Sequence, residues 1–160
     1  MVDPNDGSPL EARPPRLDDL VALCQNLNRE GARYVVVGGM AIIQAGFLRA
    51  TEDIDLLVDA SADNLHRVRR ALMELPDQAV RDMTDDDLDR YVVVRVADEF
   101  VVDLMKAACG IAYAEASQLV DVVEVEGIPI PFASPKLLWR TKQTVRDLQF
   151  LTALLQQDNE

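Results

Sequence analysis

GGMAIIQAGFLRATEDIDLLV, residues 38 to 58, is the stretch whose reading decides the fold. It opens on a glycine pair and closes on Asp53 and Asp55, one residue apart inside an apolar run. Side chains on a strand alternate between two faces. Residues 49 to 59, sorted by parity, put Arg49, Thr51, Asp53, Asp55 and Asp59 on one side. The other side receives Ala50, Ile54, Leu56 and Val58, interrupted only by Glu52. One face is therefore core and the other is a polar row, which predicts a strand over 53–59. Asp53 and Asp55 then point the same way, roughly 6–7 Å apart at Cβ. Two carboxylates that close repel each other, and burial makes ionising both costlier still. A hard divalent cation between them reverses the balance, because it prefers carboxylate oxygen. The competing reading is a pair of acids at an exposed strand edge, kept there for solubility.

Upstream, YVVVG (34–38) is a short buried strand that runs straight into a helical stretch, GGMAIIQAGF, with Met40, Ile43 and Phe47 on one side. Gly38 and Gly39 sit at that junction. Lacking Cβ atoms, they let the backbone approach a ligand closely, and free amides at a helix start attract phosphate. A tight turn alone would also account for a glycine pair. No Gly-Lys-Ser/Thr follows and no G-x-G-x-x-G is present, so neither a P-loop nor a dinucleotide fingerprint is read here.

A third acid lies downstream. In FVVDLM, Asp103 stands between Val101-Val102 and Leu104-Met105. A buried carboxylate in such a strand needs a cation, a basic partner or a neutral form. If its strand neighbours the one bearing Asp53 and Asp55, three carboxylates converge, enough for one or two metal ions. Asp103 is then a third ligand, or a general base for an acceptor hydroxyl.

Gly-Gly, thirteen residues, Asp-Ile-Asp, then a distant strand acid is a narrow pattern. It resembles the nucleotidyltransferase superfamily, whose fold is polymerase-beta-like. There the signature runs hydrophobic–Gly–Gly/Ser, a short helix, acid–hydrophobic–acid, and a third acid on a later strand. The corresponding positions here are Gly38, Gly39, Asp53, Asp55 and Asp103. Arg49, Thr51, Asp53 and Asp55 further match an Arg-x-Thr-x-Asp-hydrophobic-Asp stretch of small bacterial nucleotidyltransferase toxins of abortive-infection and toxin–antitoxin systems. The resemblance spans roughly 34 to 155, and its specific part is the first 25 residues of that span. Lys142 and the pair Arg146-Asp147 look like the basic C-terminal helix of the family, at a shortened interval.

The resemblance implies a magnesium- or manganese-dependent transfer of a nucleoside monophosphate from an NTP, with loss of pyrophosphate. Asp53, Asp55 and Asp103 would be the metal ligands and catalytic carboxylates. Gly38, Gly39, Thr51, Lys142 and Arg146 would meet nucleotide and phosphate. The acceptor, protein or RNA, stays open. The alternative is a module of the same fold that binds nucleotide or a protein partner without turnover, since little chain remains to clamp an acceptor.

The rest of the sequence bounds these readings. A chain of 160 residues supports one domain with a full core. Residues 1–15 carry four prolines and read as a disordered tail, leaving 16–157 as the domain and 134–157 as a helical end. Leu17, Leu20, Val21, Cys24 and Leu27 mark a first helix. SADNLHRVRRALMEL follows the DIDLLVD strand, with Ser61 as its N-cap. DMTDDDLDR (82–90) reads as an acidic loop. YVVVRVADEFVVDLM and VDVVEVEGIPIPF read as hairpins turning at Ala97–Glu99 and Glu126-Gly127. IAYAEASQLV is a short helical patch between them. The fold class expected is α/β (α+β), with a central mixed or mostly antiparallel sheet of five to six strands flanked by helices.

A net charge of -12 disfavours a broad nucleic-acid surface, because phosphate contacts need clustered Lys and Arg. Two distant cysteines and a single histidine, His66, exclude a zinc constellation and Ser-His-Asp chemistry. Both cysteines are expected in the core. The acid run at 82–89 lacks the central glycine of an EF-hand. The DIDLLV strand continues where a dehalogenase-type Asp-x-Asp would turn. His66 is expected to be solvated and Arg49 to bridge Asp53 or a neighbour. No stretch reaches the roughly 18 apolar residues of a membrane span. No leader pattern is read at the N-terminus, so a cytoplasmic setting is expected.

Overall fold

A computed structural model describes residues 12–141 and 145–158. The elements run α1 (Leu17–Arg29), β1 (Tyr34–Val37), α2 (Gly38–Gln44), β2 (Asp53–Val58) and α3 (Ala62–Leu72). A 3-10 turn (Ala79–Asp82), α4 (Asp87–Arg90), β3 (Val94–Ala97) and β4 (Val101–Met105) come next. Then follow β5 (Ala107–Ala108), β6 (Ile111–Ala112), α5 (Tyr113–Ala116), β7 (Val120–Val125), β8 (Ile128–Ala133), α6 (Pro135–Arg140) and α7 (Val145–Asp158).

Six strands form one mixed sheet in the order β3-β4-β2-β1-β8-β7, as the alternation anticipates. β1 runs antiparallel to β2 and parallel to β8, while β2 runs parallel to β4. The outer pairs, β3–β4 and β7–β8, are the two expected hairpins. The second turns through Glu126 and Gly127, both at positive φ (53° and 80°), the geometry of a two-residue hairpin turn. β5 and β6 make a separate two-stranded ribbon that the sequence did not reveal, since two-residue strands carry no readable period.

The central strands explain the core. β1 is buried at all four positions, and β2 is buried from Leu56 through Val58, so both faces are covered there. α1 packs on α3 and β8, while α2 packs on β1, β2, β8 and α6. The buried residues form one continuous cluster from Leu20 to Leu151. Ser61 caps α3 by accepting from the Asn64 N–H, as expected. Asn64 is itself fully buried, bonding to both backbone groups of Arg33 and to the Asp59 carbonyl.

Several expectations are corrected. Residues 12–15 are not a loose tail: the Arg13 N–H donates to the Glu99 carbonyl at 3.0 Å, and its guanidinium grips Asp19 at 2.6 and 2.8 Å. Residues 1–11 lie outside the described part. The acidic stretch 82–90 is not all loop, because Asp87–Arg90 makes a single helical turn, with Thr84 N–H just ahead of it donating to Asp87 Oδ2 at 2.9 Å. The C-terminal segment is two helices rather than one. α6 stops at Thr141, whose backbone is extended (φ -96°, ψ 162°) and whose hydroxyl donates to the Leu138 carbonyl at 2.8 Å. One of the carbonyls left without an intrahelical donor at the end of α6 is thereby satisfied locally. Cys24 is buried as expected, whereas Cys109 is exposed at the tip of the β5–β6 ribbon, at positive φ (49°).

Candidate metal and nucleotide site

The register of three strands builds the site. β2 lies between β1 and β4, and Asp55 stands directly opposite Asp103 across the parallel pair. Asp53, two residues earlier, faces the same way and stands opposite Val101. Across the other edge of β2, Val37 is the register partner of Asp55, so the glycine turn begins beside that carboxylate. One carboxylate oxygen from each of Asp53, Asp55 and Asp103 lies within 4.8 Å of the others. Asp103 is 5% exposed, and the other two are half-buried.

The glycines make room for the protein's own groups. Gly38 has φ +66°, and a Cβ there would overlap the Asp55 carboxylate, with Asp55 Cγ only 2.8 Å away. A side chain on Gly39 would lie 2.5 Å from Thr51 Oγ1 and 2.9 Å from its Cβ. Thr51 in turn donates to the Asp53 carbonyl at 3.0 Å, which fixes the approach of the chain to β2. The pair at 38–39 is thus required by the close approach of Asp55 and Thr51, a cause the sequence alone did not show.

Gathering three acids has an electrostatic cost. Burial pushes the Asp55 carboxyl up to about 8, with the Asp53 and Asp103 charges adding to it. Asp53 is raised as well, first by burial and then by repulsion from Asp103. One side chain offsets part of this. Arg95 on β3 is the register partner of Asp103 and grips it with both arms, Nε to Oδ1 at 3.0 Å and Nη2 to Oδ2 at 3.1 Å. The same Nη2 lies 3.5 Å from Asp53 Oδ2. Of the fates open to a buried Asp103, the structure shows the basic partner, Arg95.

Arg95 is the site residue that sequence reasoning missed. A lone arginine in YVVVRVADEF was legible as an interruption of an apolar strand, yet its partner depended on register. The strand also starts later than its composition predicts, because Tyr91, Val92 and Val93 are exposed and precede β3.

The remaining candidates lie farther out. Arg49 pairs with Asp147 on α7 (Nε to Oδ1 at 3.2 Å) rather than with Asp53. Asp147 is 0% exposed, so this pair ties the loop before β2 to the C-terminal helix. The Arg146 guanidinium lies 5.9 Å from the centroid of the Phe47 ring, over its face. Lys142 lies outside the described residues. Trp139 is neither core nor free: half-exposed, it donates from Nε1 to Thr152 Oγ1 at 3.1 Å. His66 is exposed on α3, as expected.

Two depressions flank the acids. One of about 360 Å³ is mostly apolar, running from Gly38 and Asp55 past Val92, Val93, Met105 and Cys109. The other, of about 640 Å³, is lined by Glu52, Asp53, Arg95 and Val101, with Ala12 and Pro14 at its margin. An apolar group suits the first, and a charged group suits the second.

The donor set fits a hard divalent ion. Three carboxylates offer oxygen ligands only, they converge without a metal-favouring nitrogen or sulfur, and burial leaves one of them reluctant to ionise unless a cation arrives. Such a centre can neutralise charge on phosphate oxygens and orient a displacement at phosphorus.

No protein-family model matches this chain, and no curated protein matches it. Among solved structures, it is similar to the crystal structure of a "putative nucleotidyltransferase" from Thermotoga maritima. The two share 17% identity, the match covers 89% of this chain and 88% of that one, and the TM-score is 0.55. At that identity the likeness is one of fold, and it agrees with the mixed six-stranded sheet described above. Among the described residues no helix is long and apolar enough to cross a membrane.

Proposed function

We propose that this chain is a metal-dependent nucleotidyltransferase, moving a nucleoside monophosphate from an NTP to an acceptor hydroxyl with release of pyrophosphate. The observation that carries the reading is the meeting of Asp53, Asp55 and Asp103 from two adjacent parallel strands beside the Gly38 turn. Magnesium or manganese held by these three would supply charge neutralisation at the α- and β-phosphates.

The chain's own residues set the stage for the reaction. The acceptor oxygen forms a bond to the α-phosphorus while the bond to the pyrophosphate oxygen breaks, and the hydroxyl proton leaves to a carboxylate or to water. β2 and β4 hold the acids on a central, rigid part of the sheet, so positioning costs little at the moment of reaction. Gly38 and Gly39 let the turn pack closely on Asp55 and Thr51, and the nucleotide's phosphates would lie beside that turn. The apolar depression along Val92, Val93 and Met105 suits a nucleoside, and the polar one past Arg95 suits the acceptor. Thr51 orients Asp53 through its carbonyl. Arg146 and Lys142 are the remaining candidates for phosphate contact, and Arg146 would have to leave Phe47 to make it.

We place the protein in the cytoplasm, acting on a protein or RNA acceptor. A silencing protein partner, as in toxin–antitoxin pairs, is the setting suggested by the Arg49-x-Thr51-x-Asp53-x-Asp55 stretch. A second reading, binding without turnover, is favoured by the full engagement of Asp103 with Arg95. Incubation with each labelled NTP, manganese or magnesium and host extract separates the two. Transfer of label with pyrophosphate release, lost in Asp53→Asn while the fold persists, is the expected result. Metal-dependent NTP binding with no pyrophosphate from any of the four nucleotides would refute the transferase and leave the binding module.

A further inference from the structure

We propose that Arg95 is the acids' built-in counter-cation, which a divalent ion must dislodge, and that it thereby sets how weakly the nucleotide-free protein holds metal. The inference rests on the metal-site reading above. Arg95 leaves β3 directly beside Asp103, engages both of its oxygens, and reaches Asp53 with the nitrogen it already shares with Asp103. Two of the three carboxylates are thus in contact with one guanidinium.

The geometry makes arginine and metal rivals rather than neighbours. A bidentate guanidinium uses the in-plane lone pairs of a carboxylate, the same pairs that a small cation prefers. A doubly charged ion among these acids would also sit a few ångströms from a fixed positive charge, and like charges at that range repel. Arg95 can yield. Its side chain is 62% exposed, whereas that of Asp103 is 7% exposed, so the cation covers the acid from the solvent side. The depression of about 640 Å³ beyond it gives the displaced side chain somewhere to go.

A purely structural Arg95 makes the opposite prediction. If it only held Asp103 in its ligating pose, its removal would weaken metal binding. Competition requires removal to strengthen it.

The test is a manganese titration of the full chain without nucleotide, with free Mn²⁺ read by electron paramagnetic resonance. It compares wild type, Arg95→Gln and Arg95→Lys after circular dichroism has confirmed their folding. Arg95→Gln should bind Mn²⁺ about tenfold more tightly, within the usual range of coupling between two sites. Arg95→Lys, which keeps the charge but loses the fork, should fall between the two. If the glutamine variant fails to fold, the lysine variant carries the test, with about threefold tighter binding expected on the same basis. Equal or weaker binding in the folded variants, against measurable wild-type binding, overturns the role of Arg95 and leaves the metal site standing. Absence of Mn²⁺ binding in every protein overturns both.

Discussion

Replacing Asp55 with asparagine should stabilise the metal-free protein at alkaline pH, although it removes a ligand. Asp55 is held mostly out of water, and Asp53 and Asp103 add to the cost of its charge, which together push its carboxyl from 3.8 to about 8. In the unfolded chain it ionises near its ordinary value. Between those limits the folded state holds a proton that the unfolded state has lost, so stability falls as pH rises, by at most about 1.4 kcal/mol per pH unit. The contribution is fully present below pH 4 and is gone once pH passes 8. The whole span would amount to about 6 kcal/mol, but partial solvation of the carboxyl screens it, and we expect about 1–3 kcal/mol. Asparagine copies the shape of the protonated acid and loses nothing as pH rises. Urea denaturation in EDTA at pH 5, 7 and 9 should therefore show wild type and variant close together at pH 5 and separated at pH 9, with the variant the more stable. Near the midpoint, each kcal/mol corresponds to about 2–4 °C in Tm for a domain of this size. Adding magnesium at pH 8 should restore stability to wild type and do little for the variant. Equal pH dependence in the two proteins, or a variant less stable at pH 9, would refute the claim that the three acids repel one another in a shared pocket.

Two further substitutions probe the supports of the site. Gly38→Ala meets the Asp55 carboxylate and forces a left-handed φ on a residue with a Cβ, so it should cost about 1–3 kcal/mol in urea denaturation and weaken Mn²⁺ binding as Asp55 shifts. Asp98→Ala removes the acceptor for three backbone N–H groups, those of Asp77, Ala79 and Glu99, at 2.8–2.9 Å. Leaving those donors unpaired around a buried position should cost about 2–4 kcal/mol, with metal binding unchanged in the folded fraction.

Local pattern made much of this molecule legible, and long-range register made the rest opaque. Alternation in DIDLLV fixed both the strand and the side its acids share, because a period of two survives whatever the strand pairs with. Asp103 stood out as a charge among valines and leucines, although its meeting with Asp55 required the parallel β2–β4 pairing, which no local signal encodes. Arg95 needed one pairing more, β3 on β4, before its partner could be named. Asp98 lay in a recognised hairpin turn, yet its role depends on backbone amides some twenty residues upstream. Gly38 and Gly39 were noticed for what they might admit, whereas their contacts show what they must not obstruct. The interruption at Thr141 was hidden by an unbroken helical composition on both sides of it.

The bond between Trp139 and Thr152 has a practical consequence. The chain contains one tryptophan, and it sits astride the seam between α6 and α7 with half its surface in water. α7 also carries Asp147, whose ion pair reaches the loop leading to Asp53. Intrinsic emission is therefore a label already installed on the helix that the Arg49–Asp147 pair ties to the loop before the acids. Its wavelength would report, without any dye or added mutation, whether filling the acids is felt at the seam between the last two helices.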